Sequence, residues 1–272
     1  KTFYPENNVE YFISYYDYYQ PEAYIPSSDT YIEKDADVNE HIDRLRLRAT
    51  STLMDKRDVI IVASVSCIYG LGNPKDYRAM TIAVNKEEGP KRDDLIRMLA
   101  DIFYKRNPVD FSEGSFRVRG DVVEIFPPYA EFPFRIDYFG DSPEEISEFN
   151  PITGEVIKTM DSLSIYSTKH FVSTPERLKN AVMRIRQELA QRLKELRDNN
   201  MLVAAERLET RTNYDIELML ELGYCSGIEN YSRHIAGREE GERPDVLLDY
   251  FPDDFVCIID ESHVTVPQLK AM

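Results

Sequence analysis

Apolar positions follow several distinct patterns along the chain. From Asp58 to Ser66 the residues are mostly apolar and β-branched, as expected of a strand buried on both faces of a parallel sheet. Gly70, Gly72 and Pro74 then break the run. Upstream, Asn39 to Leu53 predicts a helix with Ile42, Leu45 and Ala49 on one face. Its Arg44, Arg46 and Arg48 make it the most basic short stretch of the first half.

From about residue 80 the pattern changes. Pro90 to Phe103 predicts a short amphipathic helix with Leu95, Ile96, Leu99, Ile102 and Phe103 in phase. Alternating segments follow at 115–119, 122–126 and 134–139, punctuated by Gly114, Gly120 and Gly140-Asp141, which is the chemistry of hairpins and a meander. After Ser173 the period becomes helical through Leu178, Ala181, Val182, Ile185, Leu189, Leu193 and Leu196. Ser173 or Thr174 serves as N-cap and Pro175 sits in the first turn. A second helix is expected over Leu202–Leu222, stopped by Gly223. Phe255–Ile259 then returns to the composition of a buried strand. These shifts predict an α/β fold with a parallel sheet, interrupted by a small antiparallel α+β insert and a mostly helical segment. The expected boundaries are 1–79, 80–171, 172–250 and 251–272.

Composition narrows the function classes. No run approaches the ~20 apolar residues of a bilayer span, and no secretory signal is recognisable, so no membrane role is expected. Cys67, Cys225 and Cys257 are widely separated without metal spacing, which suits a reducing cytoplasm better than a disulfide framework. The four histidines, His41, His170, His234 and His263, also lack ligand spacing. A formal net charge of −16 disfavours a simple nucleic-acid coat, because phosphate binding is mainly electrostatic. With Lys1 at one end and Met272 just past a strong motif at the other, the chain reads as a cut piece of a longer one.

That motif is Ile258-Ile259-Asp260-Glu261-Ser262-His263. Two acids at the C-terminal edge of an apolar strand lie where open α/β sheets bind ligands. In nucleotide hydrolases such an Asp helps hold Mg²⁺ and the following Glu can polarise the attacking water. A strand ending in a solvated acidic turn is the plainer alternative. The partner motif G-x-x-x-x-G-K-[ST] is absent, and no Gly precedes a Lys anywhere, so no nucleotide is expected bound to this chain alone.

Eight of the eighteen tyrosines fall within the first 31 residues: Tyr4, Tyr11, Tyr15, Tyr16, Tyr18, Tyr19, Tyr24 and Tyr31. Such a density cannot be buried on one face of one strand. It suits either base stacking, worth about 1–3 kcal/mol per base, or ordinary tyrosine packing. Residues 1–40 carry only Lys1 and Lys34 as cations against nine acids, which favours stacking or wedging over electrostatic coating. Arg106, Arg117 and Arg119 form a third candidate group. Arg117 and Arg119 share a strand face, either as anchors for a partner's carboxylates or as a solvated face.

Several long runs carry a resemblance. They are Tyr15–Tyr24 with Asp29–Asp35, Val62–Gly72, Phe116–Pro127 and Tyr224–His234; on them the chain resembles the UvrB family of helicase-like excision-repair proteins over essentially its whole length. The resemblance implies part of a P-loop (RecA-like) helicase domain with a protruding β-hairpin at about 15–40. It also implies a role in bacterial nucleotide excision repair. DNA passes from UvrA, one strand is clamped behind the hairpin, and ATP is spent before UvrC incises. Damaged double-stranded and single-stranded DNA are then the substrates, and ATP with Mg²⁺ the cofactors of the intact protein. By the same resemblance Tyr15, Tyr16, Tyr18, Tyr19, Tyr24, Tyr31 and Lys34 are the DNA-binding residues, and Arg106, Arg117 and Arg119 contact UvrA. Asp260 is the Mg²⁺ ligand and Glu261 the hydrolytic acid. The family's phosphate loop and second motor domain are missing from this sequence. Two rivals are a translocase like the transcription–repair coupling factor, which should lack the Tyr15–Tyr24 run, and a UvrA-binding adaptor without catalysis.

Overall fold

A computed structural model describes residues 2–14, 16–20, 23–25, 30–32, 35–38, 40–171 and 173–271. Side chains at 16–20, 23–24, 30–32, 35–38, 40 and 271 lie outside that description. The first strand, β1 (Asn8–Phe12), is followed by β2 (Tyr16–Gln20), β3 (Ala23–Ile25), β4 (Thr30–Ile32) and β5 (Asp35–Val38). β2 pairs antiparallel with β5, and β3 with β4, so these four strands form the nested ladder of one hairpin. α1 (Glu40–Asp55) follows, then β6 (Val59–Ala63), which pairs in parallel with β1 from Asn8–Val59 to Phe12–Ala63. α1 packs on β1 and buries Ala49 and Leu53 around the fully buried Phe12.

A 3-10 turn at Val65–Ile68 and α2 (Pro74–Ala79) lead into the insert. Asn73 caps α2, accepting from the amides of Lys75 and Asp76, with Pro74 preset in the first turn. β7 (Ile82–Asn85) and α3 (Arg92–Asp101) come next, followed by β8 (Lys105–Arg106), β9 (Ser115–Arg119) and β10 (Val122–Phe126). β11 (Phe134–Phe139), β12 (Ser142–Phe149), β13 (Val156–Met160) and β14 (Ser162–Ile165) complete it. Six strands form one sheet in the order β13-β12-β11-β10-β9-β8, antiparallel except for the β8–β9 pair. β14 returns beside β7, Ile165 opposite Ile82, so the insert's two ends meet. Alternation places Phe116, Val123, Ile125, Ile136 and Ile146 on one face of the large sheet. They pack there with Leu95 and Leu99 of α3 and with Ile82, Val84, Leu163 and Ile165. Each such fully buried side chain contributes about 1.5–3 kcal/mol.

The helical segment holds α4 (Pro175–Asp198), α5 (Leu202–Leu222) and α6 (Ser232–Ile235), and α7 (Ser262–Ala271) follows in the last stretch of the chain. Thr174 is the N-cap of α4, and Gly223, at φ 72°, closes α5 with its amide on the Met219 carbonyl. Arg177 of α4 pairs with the buried Asp76 of α2, tying the helical pair to the α/β part. No described helix is long and apolar enough to cross a membrane.

Two expectations fail. Phe255–Ile259 forms no strand, and Val256 and Ile258 are 86% and 89% exposed. A strand buried on both faces needs ladder partners and cover, and neither lies beside this segment among the described residues. For the same reason β6, with β1 as its one partner there, is half-buried at best and exposes Val62 and Ala63.

The seam between insert and α/β part is polar and tightly built. Thr50 and the His170 imidazole are 3.2 Å apart, and Tyr77 and Tyr166 stack at 5.7 Å. The Tyr166 hydroxyl donates to Asp55 of α1, and the Tyr250 hydroxyl donates to the Gly72 carbonyl at 2.7 Å. Gly72 lies so close to the His170 backbone that an added Cβ would stand 1.8 Å from its carbonyl oxygen. Gly72→Ala is therefore expected to cost about 3 kcal/mol through overpacking, read as a lowered melting temperature. Burial, aided by nearby Arg46 and opposed by Asp43, lowers the His170 pKa from 6.5 to about 4. The unfolded chain takes up that proton below pH 6.5 and the folded chain only below about 4. This contribution is complete above pH 6.5 and fades as pH falls toward 4, about 3 kcal/mol in all. Urea titrations of the wild type and His170→Gln should differ in pH slope within that window; parallel curves would refute the assignment.

Candidate functional site

The large sheet of the insert has a second face, opposite its apolar core. Ladder register sets Arg117 of β9 opposite Glu124 of β10, and Glu124 opposite Arg135 of β11. Arg117 donates from Nε to one carboxylate oxygen of Glu124. Arg135 donates to the other oxygen from Nε at 3.0 Å and Nη2 at 2.8 Å. Glu124 is only 4% exposed. Burial alone would push its pKa up, and the hydrogen bonds and charges of the two arginines outweigh this, holding it below the ordinary carboxylate value.

Aromatic rings brace both guanidinium groups. The Arg117 Cζ lies 4.2 Å from the centroid of Phe111, and the Arg135 Cζ 4.3 Å from that of Phe149. Phe111 stacks near-parallel on Phe149 and tilts against Phe126. Phe149 lies two residues beyond Ser147, the residue opposite Arg135, and so falls on the same face by alternation. Each cation–π contact contributes about 0.5–2 kcal/mol. Removing one partner of a buried charge network costs about 3–5 kcal/mol. The two arginines and one glutamate thus form a rigid unit on the sheet surface.

The three arginines singled out in the sequence have different surroundings. Arg117 is 14% exposed and bound to Glu124. Arg119, two residues along the same strand, is exposed at the Gly120-Asp121 turn, with no ion pair among the described residues. Arg106 is exposed on the edge strand β8, opposite Phe116 in register, and likewise has no ion pair there. Arg92 of α3 holds the adjoining turn through the Gly120 carbonyl at 2.9 Å. Glu124 and Arg135 were not singled out from the sequence. Registering the two alternating runs across the Gly120-Asp121 turn would have exposed the pairing of Arg117 with Glu124.

In the basic stretch of α1, Arg46 is buried, and the half-buried Arg44 and Arg48 are held in ion pairs. Arg46 is 3% exposed, donates to the Ile13 carbonyl at 2.8 Å and lies 3.9 Å over the Phe12 ring. Arg48 pairs with the buried Glu10 at 3.0 Å, and Arg44 with Glu113 of the insert.

Tyr15 and Lys34 lie outside the described residues, as do the side chains of Tyr16, Tyr18, Tyr19, Tyr24 and Tyr31. The backbone sets Tyr24 directly opposite Tyr31 and Tyr19 opposite Ala36. Asp260 and Glu261 occupy an exposed turn before α7, with Glu261 at φ 47° and its amide donating to the Asp260 carboxylate at 2.9 Å. Among the described residues no group of three or more His, Cys, Asp or Glu is placed to hold a metal ion. One oxygen of the Asp260 carboxylate is thus taken up by its own backbone, and the sequence carries no phosphate loop beside it.

Comparison with known proteins matches residues 82–171 to the UvrB interaction domain and residues 176–237 to the UvrB third helical domain. The UvrABC system protein B of Gemmatimonas aurantiaca is 58% identical over 272 residues, covering 100% of this chain and 39% of that protein. That of Listeria innocua is 58% identical over 273 residues, covering 100% and 42%. That of Bacillus velezensis is 55% identical over 273 residues, covering 100% and 41%. The chain therefore spans about two fifths of the length of these curated relatives. With two domains specific to one family side by side and more than half of all positions identical, the chain belongs to the UvrB family.

Proposed function

We propose that the insert is the surface by which a UvrABC-system protein docks on UvrA. The observation that carries this is two exposed arginines with no ion pair among the described residues, Arg106 on the edge strand β8 and Arg119 at the end of β9, on a unit matching the UvrB interaction domain. On an otherwise acidic chain they offer planar donor forks suited to a partner's carboxylates. In the full-length protein, Arg106→Ala with Arg119→Ala is expected to weaken UvrA association by about 1–3 kcal/mol and leave the melting temperature unchanged. Calorimetric titration against UvrA checks this; an unaltered affinity removes the docking assignment.

The same reading extends to DNA, ATP and UvrC. Damaged DNA passes from UvrA, one strand is clamped behind the β2–β5 hairpin, and ATP hydrolysis precedes incision by UvrC. Asp260 and Glu261 are the two acids this chain contributes to nucleotide hydrolysis in the intact protein. Tyr15, Tyr16, Tyr18, Tyr19 and Lys34 line the path of the strand. Tyr24 and Tyr31 lock it, a role supported by their opposition in the ladder. Changing both to Ala in the full-length protein is expected to spare UvrA association and abolish retention on a lesion-bearing duplex in a gel-shift assay. Undiminished retention would remove the lock.

A further inference from the structure

Glu124 lies between Arg117 and Arg135 on the sheet face that also carries Arg119, yet is too deeply buried to serve as a contact. Its two oxygens are divided between Arg117 and Arg135. Arg117 commits only Nε to Glu124, and Arg135 commits Nε and Nη2. The remaining guanidinium nitrogens, both Nη atoms of Arg117 and Nη1 of Arg135, have no described protein acceptor and are not among the buried unsatisfied atoms. Phe111 and Phe149 fix the guanidinium planes, and the ladder fixes their spacing.

We infer that Glu124 is a positioning residue of the docking face, holding the Arg117 and Arg135 forks in fixed planes so that their outer N–H edges receive carboxylates of the partner. The inference rests on the reading that the insert docks on UvrA. Fixing two long side chains before association removes an ordering cost that free arginines would carry. Their planar geometry then matters as much as their charge. Arg117 thereby acts in two directions at once, inward to Glu124 and outward to the partner.

The test is calorimetric titration of full-length protein variants with purified UvrA, well below each variant's melting temperature. Glu124→Gln keeps the size of the side chain and removes the charge that orients both forks; it should weaken association about tenfold. Arg135→Lys keeps the charge and loses the fork, and should weaken association to a similar degree. Because both act through one geometry, the double variant should fall little further than either single one. A purely structural Glu124 would lower the melting temperature and leave the affinity of the folded protein untouched. Folded Glu124→Gln with affinity within about twofold of wild type would overturn the inference. If Glu124→Gln does not fold, Arg117→Lys with Arg135→Lys carries the test, and unchanged affinity there overturns it equally. Arg106→Ala with Arg119→Ala is the control: if it weakens association while the Glu124 variant does not, the inference alone falls. If it has no effect, the docking reading falls and takes the inference with it.

Discussion

The insert leaves the α/β part after α2 and returns after β14, and both crossings pass through one small region. There Gly72 is held between the His170 backbone and the Tyr250 hydroxyl, while Tyr77 stacks on Tyr166 and the Tyr166 hydroxyl reaches Asp55. Further hydroxyl bonds, Tyr77 to the Ser167 carbonyl and Tyr104 to the Tyr166 carbonyl, close the region. A buried polar cluster of this kind tolerates little displacement, because each group that loses its partner incurs a full desolvation cost. The remaining geometry depends on this seam. It sets the plane of the large sheet relative to α1, and with it where the outer face of the insert looks.

The two faces of that sheet follow different physics. The inner face is ordinary apolar interdigitation around Val123, Ile125 and Ile136. The outer face carries guanidinium groups over phenyl rings with a glutamate between them, where fit depends on angle as well as volume. The first arrangement gives stability; the second keeps charge at the surface without letting it wander.

Much of this architecture was legible in the sequence. Strands at 115–119, 122–126 and 134–139 emerge with their expected limits, because alternation and glycine turns act locally. The end of α5 at Gly223 is legible for the same reason. By contrast, β7 and β14 pair across the whole insert, a contact that no local pattern encodes. Phe255–Ile259 has the composition of a central strand, yet composition supplies only a propensity, and the strand itself needs neighbours. At the candidate site, the arginines were legible as residues but their commitments were not. That Arg117 is bound inward and Arg119 is not depends on which residue the ladder sets opposite each. The tyrosine-rich hairpin is present as backbone pairing, and the roles of its rings rest on family resemblance.

The arginines of α1 carry a consequence for how the molecule meets a polyanion. Arg44, Arg46 and Arg48 are each taken up by an internal partner, so the most basic stretch of the first half serves cohesion. The long-range field of a chain with formal charge −16 is repulsive to a phosphate backbone. Net charge therefore works against electrostatic steering of a polyanion toward this chain, and the arginines of α1 do little to offset it.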